Sequence, residues 1–257
     1  MKSPVRAKKH LGQHFLTDST VSERMAAALE IKADARILEI GPGTAALTTF
    51  LFGGNLKLVE IDKESVEFLK NAYPNLVGKI IEGDFLKMEL ADIFDNEEFT
   101  LCGNFPYNIS SQILFKTLDN RELIPVCVGM FQKEVAMRIA SGPKNKDYGI
   151  LSVLIQAYYE VEYLFTVSEG SFNPPPKVKS GVLKLVRKRT DWEDVPFSEL
   201  KKIVKIAFNQ RRKTLRNALK GTVDESLLQS LGFDRNRAEE LSVADFLILT
   251  RKWIESR

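Results

Sequence analysis

From Arg36 to Phe131 the chain repeats one pattern, a short apolar run followed by a longer amphipathic stretch. The runs are Ile37-Leu38-Glu39-Ile40, Leu56 to Ile61, Lys79-Ile80-Ile81, Phe99 to Cys102 and Pro125 to Phe131. Runs this short suit strands, and strands separated by helical stretches join in parallel through crossovers, so the chain is read as α/β. Ala45 to Phe52, Lys63 to Tyr73 and Ser110 to Leu118 read as the crossover helices, the last capped by Ser110, and Ser19 to Ile31 reads as a helix ahead of the first strand. Farther on, Glu160 to Val167 and Gly181 to Arg187 alternate with period two on either side of the turn-rich Phe172-Asn173-Pro174-Pro175-Pro176. They are expected to finish the sheet as a strand pair.

Beyond Thr190 only helical periods recur, at Phe197 to Phe208, Lys213 to Leu219, Glu225 to Leu231 and Val243 to Ile254. A boundary near residues 188–195 is expected, with a sheet domain over 1–190 and a small helical domain over 191–257. The charge divides in a similar place. Residues 1–170 carry 18 Lys+Arg against 23 Asp+Glu, a net of −5, whereas residues 171–257 carry 19 against 11, a net of +8. A basic part joined to an acidic one suggests a polyanionic partner, because clustered cations gain by releasing the counterions of a phosphate backbone; a solvated surface is the alternative reading. The two cysteines, Cys102 and Cys127, sit inside apolar runs and read as core fillers, which argues against a disulfide framework or a zinc site. No apolar stretch is long enough for a membrane span and no signal-type segment follows Lys2, Arg6, Lys8 and Lys9, so the chain is read as cytoplasmic, with a monomer the simpler expectation.

Four segments carry chemistry. Glu39-Ile40-Gly41-Pro42-Gly43-Thr44-Ala45-Ala46 follows a strand, and Gly41 and Gly43 let its backbone turn tightly and approach a ligand. Glu60, 19 residues beyond Gly41 at the end of the second strand, is placed to accept hydrogen bonds from ribose hydroxyls. This fingerprint fits a dinucleotide as well as another nucleoside. After the third strand, Asp84 can accept from an adenine amine while Phe85 packs near the ring; a turn or capping role is the plainer reading of Asp84. After the fourth stands Gly103-Asn104-Phe105-Pro106-Tyr107-Asn108. An exocyclic adenine amine has its lone pair drawn into the ring, so a nucleophilic nitrogen must have both hydrogens accepted while the lone pair turns out. The Asn104 side-chain oxygen and the Phe105 carbonyl supply two such acceptors, Pro106 fixes the turn, and Tyr107 offers a face to an extruded base. Phe172 is a candidate for the opposite face. Gly12-Gln13-His14-Phe15-Leu16 reads either as a lid over the cofactor or as a mobile polar tail. In the C-terminal part, Arg211, Arg212, Lys213 and Arg216 crowd a helix start and suit phosphate contact, with a solvated face as the alternative.

Together these segments resemble the ribosomal RNA adenine dimethyltransferase family, and within it the bacterial branch acting on small-subunit ribosomal RNA. Gly-Gln-His-Phe-Leu at 12–16, Glu-Ile-Gly-Pro-Gly at 39–43, Asn-Phe-Pro-Tyr-Asn at 104–108 and Pro-Pro-Lys-Val-Lys-Ser at 175–180 match its pattern in order, from about Lys9 to about Trp253. Phe208 to Asn217 resembles the small-subunit branch, although the large-subunit antibiotic-resistance enzymes share the catalytic half. The resemblance implies a Rossmann-like class I methyltransferase sheet of seven strands, with a small all-helical C-terminal domain that binds RNA. It also implies S-adenosyl-L-methionine as cofactor, held by His14, Leu16, Gly41, Gly43, Glu60, Ile61, Asp84, Phe85 and Asn104. Asn104 to Tyr107 and Phe172 would hold the target adenine, and the small ribosomal subunit and its rRNA would be the partners. Two positions depart from the family pattern: His14 stands where Asn is usual, and Ala45 stands where the turn commonly has Gly, which is expected to tighten the approach to the cofactor. A DNA adenine methyltransferase, a nicotinamide enzyme and a ribosome-assembly factor acting mainly by binding are the competing expectations.

Overall fold

The computed structural model describes residues 4–51, 55–189, 192 and 194–257. Its strands are β1 (Phe15–Leu16), β2 (Arg36–Ile40), β3 (Asn55–Glu60), β4 (Ile80–Glu82), β5 (Thr100–Asn104), β6 (Val126–Gln132), β7 (Tyr159–Val167), β8 (Phe172–Asn173) and β9 (Ser180–Arg187). The α-helices are α1 (Ser19–Ala28), α2 (Lys63–Ala72), α3 (Ser110–Asp119), α4 (Lys133–Ala140), α5 (Ile150–Tyr158), α6 (Phe197–Asn209), α7 (Leu215–Ala218), α8 (Glu225–Ser230) and α9 (Val243–Glu255).

Seven strands form one sheet in the order β4-β3-β2-β5-β6-β9-β7. β2 pairs in parallel with β3 and β5, β3 with β4, and β5 with β6, whereas β9 runs antiparallel to β6. The expected strand pair therefore closes the sheet, with β9 lying between β6 and the edge strand β7. The order reverses between β2 and β5, and in a doubly wound sheet the crevice at such a reversal, beyond the carboxyl ends of the strands, is where ligands bind. The register sets those ends level: Ile40 pairs with Val59, Glu60 with Glu82, and Glu39 with Cys102. Ile37, Leu38, Leu58, Leu101, Cys102, Val128 and Met130 are fully covered, as interior parallel strands require. Cys102 and Cys127 are free, buried thiols, and burial pushes Cys127 up to about 12, which leaves it unreactive.

Two helix expectations need correction. The stretch Ala45 to Phe52 is a run of turns followed by a 3-10 turn at Thr48–Phe50, with Phe52 outside the described residues. Ala45 has a left-handed backbone, φ 67°, which interrupts an α-helix at its first turn. Ser110 is not a cap either. The cap position falls on Ile109, and the Ser110 hydroxyl instead donates back to the Tyr107 carbonyl at 3.1 Å.

The chain divides into two compact units, residues 1–136 with 162–187, and residues 137–161 with 188–257. The second unit thus begins near the expected boundary but also takes in 137–161, which the sequence pattern assigned to the sheet domain. The reason is α5, whose Val153, Leu154 and Ile155 are buried and which packs against α6 and α9. Phe208 on α6 stacks on Phe246 of α9 at 5.8 Å and meets Tyr148 edge-on at 6.0 Å, which gives this unit its own core. The expected helix over Lys213 to Leu219 contracts to α7, because Thr214 is drawn into a bridge with Arg237. No helix among the described residues is long and apolar enough to cross a membrane.

Candidate active site

A cavity opens at the carboxyl ends of β2 to β5, and every residue expected to hold the cofactor lines it: His14, Leu16, Gly41, Gly43, Glu60, Ile61, Asp84, Phe85 and Asn104. The turn after β2 forms its floor. Gly41 donates its N–H to Val59 O at 2.9 Å, and a Cβ built on Gly41 would meet nothing within 4 Å, so the cavity is open above it. Gly43 has φ 53°, and a Cβ there would lie 2.9 Å from the Phe15 ring, so only glycine fits both the backbone and the space. The Gly43 N–H donates to Glu60 Oε2 at 3.1 Å while Glu60 Oε1 accepts from the Asp62 N–H at 2.9 Å. Two backbone donors thus aim the Glu60 carboxyl. Burial raises its pKa, and these hydrogen bonds offset part of the rise.

Asp84 takes the capping role of the plainer reading and also faces the cavity. Its Oδ1 accepts from the Leu86 N–H at 3.0 Å, capping the short turn that carries the buried Phe85. The sequence reading missed Glu39. It is 1% exposed at the end of β2, accepts from the Thr48 hydroxyl at 2.7 Å and faces the same cavity. Burial pushes it up to about 8, opposed by the Thr48 hydroxyl and reinforced by Glu60. The signal was its place two residues before Gly41 of the Gly-rich turn.

Asn104 ends β5, and Phe105, Pro106 and Tyr107 continue along the cavity wall. The Phe105 ring is a buried anchor, packed edge-on against Phe131 at 5.3 Å. Gly129 and Gly103 make room for it: a Cβ on Gly129 would come within 2.3 Å of the ring, and one on Gly103 within 2.9 Å of it. That anchor holds the backbone of Asn104 to Pro106 against the sheet. Asn104 Nδ2 donates to His14 O at 2.9 Å, which leaves Oδ1 as the acceptor end of the amide. The Tyr107 hydroxyl is 2.5 Å from Ser180 Oγ, and its ring stacks on the His14 imidazole with centroids 5.6 Å apart. Burial raises the Tyr107 pKa, so the phenol stays neutral.

The segment around His14 is ordered across the cavity. β1 pairs with β8, Thr17 N–H donates to Ser171 O at 2.9 Å, and His14 Nδ1 lies 2.8 Å from Pro174 O. Phe172 is the candidate that the fold does not bring to the site. Its backbone pairs with Leu16, its ring is 4% exposed inside the core cluster with Leu16, Val21 and Met25, and it does not line the cavity. A large aromatic next to a strand was drawn into the core, as its hydrophobicity favours.

In the second unit the four candidate cations separate. Arg211 donates through Nε to Glu239 at 2.6 Å and also to Lys146 O, and Arg216 Nε lies 3.0 Å from Glu225. Arg212 and Lys213 are exposed on the turn between α6 and α7.

Sheet order, switch-point cavity and carboxylate-rich lining define a class I methyltransferase. The chain belongs to the ribosomal RNA adenine dimethylase family, whose model matches residues 5–254. It is 54% identical over 252 residues to the ribosomal RNA small subunit methyltransferase A of Bacteroides fragilis, covering 96% of this chain and 92% of that protein. To the protein of the same name from Flavobacterium johnsoniae it is 53% identical, covering 96% of each. Among solved structures it is similar to a dimethyladenosine transferase from Plasmodium falciparum, with a TM-score of 0.83, 26% identity and coverage of 94% and 98%. It shares its fold with the 23S rRNA methyltransferase ErmE, with a TM-score of 0.69, 24% identity and coverage of 93% and 99%.

Proposed function

We propose that this chain transfers methyl groups from S-adenosyl-L-methionine to N6 of two adjacent adenosines near the 3′ end of small-subunit rRNA, giving N6,N6-dimethyladenosines during ribosome maturation in the cytoplasm. The observation that carries the reading is Asn104 at the rim of a cavity lined by the acidic side chains Glu39, Glu60 and Asp84 and, among the described residues, by no Lys or Arg; Lys87, outside the lining, pairs with Asp84 at 3.8 Å. Such a lining suits a cationic nucleoside, and a dinucleotide, with its anionic pyrophosphate, is disfavoured there. Glu60 and Asp84 would hold the ribose and the adenine amine, with Gly41 and Gly43 allowing close approach. When bound, the cofactor supplies an electrophilic methyl group on a sulfonium.

The protein's part is positioning. Asn104 Oδ1 and the Phe105 carbonyl accept the two amine hydrogens of the target adenine, so the nitrogen lone pair turns toward the cavity. Tyr107 stacks on the base. No strong base is needed, because the nitrogen becomes acidic as it is alkylated; the oxygens hold its hydrogens by hydrogen bonds and the proton released in each transfer passes to water. Arg212 and Lys213 contact RNA phosphates, while Arg211 and Arg216, held by carboxylates, shape that turn. The names of the relatives favour the small subunit over the large.

The test is to incubate the protein with S-adenosylmethionine and unmodified small subunits, digest the RNA and identify the nucleosides by mass spectrometry. Adjacent N6,N6-dimethyladenosines are expected, and Asn104→Ala should slow their formation at least about 100-fold with subunit binding retained. Methylation of large-subunit RNA or DNA alone would overturn the substrate. Unchanged turnover of Asn104→Ala would overturn the mechanism.

A further inference from the structure

Asp62 sits at the base of α2, its side chain fully covered, and holds more partners than a helix cap requires. Its Oδ1 accepts from the Glu64 N–H at 3.1 Å, the usual capping bond, and Oδ2 takes the Ser65 hydroxyl at 3.3 Å. Two further donors come from about 50 residues upstream. Lys8 Nζ pairs with Oδ1, and Gln13 Nε2 donates to Oδ2 at 2.9 Å, while Gln13 Oε1 accepts from the Lys8 N–H at 2.8 Å. Both ends of the Gln13 amide are thus engaged. Burial alone would raise the Asp62 pKa, but bonds from Gln13, Lys8 and Glu64 outweigh it and keep the carboxylate ionised. One residue beyond Gln13, the His14 carbonyl accepts from Asn104 Nδ2 at 2.9 Å. The opposite flip of the Asn104 amide would set two oxygens against each other at that distance, so the His14 carbonyl selects the rotamer.

We propose that Asp62 and Gln13 are positioning residues for methyl transfer: they latch the segment from Lys8 to Leu16 so that the His14 carbonyl fixes Asn104 with Oδ1 toward the target amine. The proposal rests on the functional reading above. It predicts that loosening a bond whose partners lie 91 and 42 positions from Asn104 in sequence slows the chemical step while substrate binding persists.

The decisive variants are Gln13→Ala, Asp62→Asn and the pair Gln13→Glu with Asp62→Asn. Asparagine caps a helix as well as aspartate, so Asp62→Asn removes the latch charge and leaves α2 capped. The paired variant reverses the donor and acceptor between the two side chains and keeps an acceptor for the Lys8 N–H. With S-adenosylmethionine and subunits both saturating, Gln13→Ala should lower kcat by about tenfold or more, the scale of one missing orienting bond, with KM for subunits unchanged. The paired variant should recover most of that loss. A second readout needs no turnover: the Asn104 side-chain amide resonance, assigned by its absence in Asn104→Ala, should lose its protection from water exchange in Gln13→Ala and regain it in the pair. An unaltered kcat with only KM for S-adenosylmethionine raised, or an amide signal that does not change, would overturn the latch. Wild-type protein in the same assay separates the two levels: an active wild type with an unaffected Gln13→Ala refutes the latch alone, and an inactive wild type refutes the functional reading and the latch with it.

Discussion

Glu39 makes stability depend on pH in a direction opposite to most carboxylates. Its pKa rises from 4.5 to about 8 because the folded protein buries it, with the Thr48 hydroxyl offsetting part of the cost and Glu60 adding to it. Between those values the native state keeps a proton that the unfolded chain releases, so stability falls as pH rises across the window. The slope is at most about 1.4 kcal/mol per pH unit, and the whole window amounts to about 5 kcal/mol as an upper bound. Glu39→Gln removes the titration and keeps the shape. Its carboxamide can still accept from Thr48, but its NH2 faces a site built for an oxygen, at a cost of roughly 1 to 3 kcal/mol. Wild type should therefore be the more stable near pH 5, the variant the more stable near pH 9, and the two curves should cross between about pH 5 and pH 7, where the falling wild-type advantage equals that cost. Urea titrations at unit pH intervals, with m unchanged, measure this directly. Burial also raises the pKa of Glu60, but that contribution is present in both proteins and drops out of the difference. A wild-type-minus-variant difference that stays flat from pH 5 to 8 would mean that Glu39 is ionised in the folded protein and that the burial argument is wrong.

Other expectations follow from the site and from the helical unit. Tyr107→Phe keeps the ring and loses only the bond to Ser180, so kcat/KM on small subunits should fall no more than about tenfold; Tyr107→Ala should cost about 5- to 150-fold through lost stacking, and equal losses in single-turnover assays would refute the base-stacking role. Arg212→Ala with Lys213→Ala should weaken subunit binding and lower the salt slope of affinity by about 1 for each phosphate no longer neutralised, with melting unchanged. Arg211→Ala, which frees Glu239 and Lys146 O, should lower the melting temperature in a thermal scan and change the salt slope less.

The sheet was legible because interior parallel strands must be apolar almost throughout; all five runs between Ile37 and Phe131 became strands or their immediate flanks, and α2 and α3 were recognised by their spacing. The failures have separate physical causes. Ala45 adopts a left-handed backbone that no periodicity announces, and the expected helix there is lost. α5 is apolar on most sides, so neither the helical nor the strand period stands out in Ile150 to Tyr158. Cavity-lining residues were legible where a motif fixes them to a strand end, as at Gly41, Glu60, Asp84 and Asn104. Glu39 was not, because a carboxylate inside an apolar run looks like a strand residue until its neighbours cover it. Gln13 and Asp62 meet only through tertiary structure, 49 positions apart. Phe172 was read from its place before the prolines, whereas the strand that carries it pairs with Leu16 and takes the ring into the core.

The placement of polar costs explains how one cavity can serve both halves of the proposed reaction. Glu39 and Glu60 are buried carboxyls whose charged forms burial penalises, and Asp84 adds a third acid at the same cavity. Among the described residues no lysine or arginine lines the cavity, and of the three acids only Asp84 has a cation close by, Lys87 at 3.8 Å outside the lining. A positively charged ligand supplies that relief, and it supplies less once it has given up its methyl group and its charge, so the electrostatics favour the donor over the spent product. In that proposed reaction the target base would meet a different environment. Asn104 and the Phe105 carbonyl are neutral acceptors, fixed by the His14 carbonyl on one side and by the buried Phe105 ring on the other, and neutral oxygens suit an amine that gains charge only during transfer. In the proposed reaction acidic side chains would lie beneath the methyl donor and neutral oxygens at the rim, and the Gly12–Leu16 segment lines the same cavity.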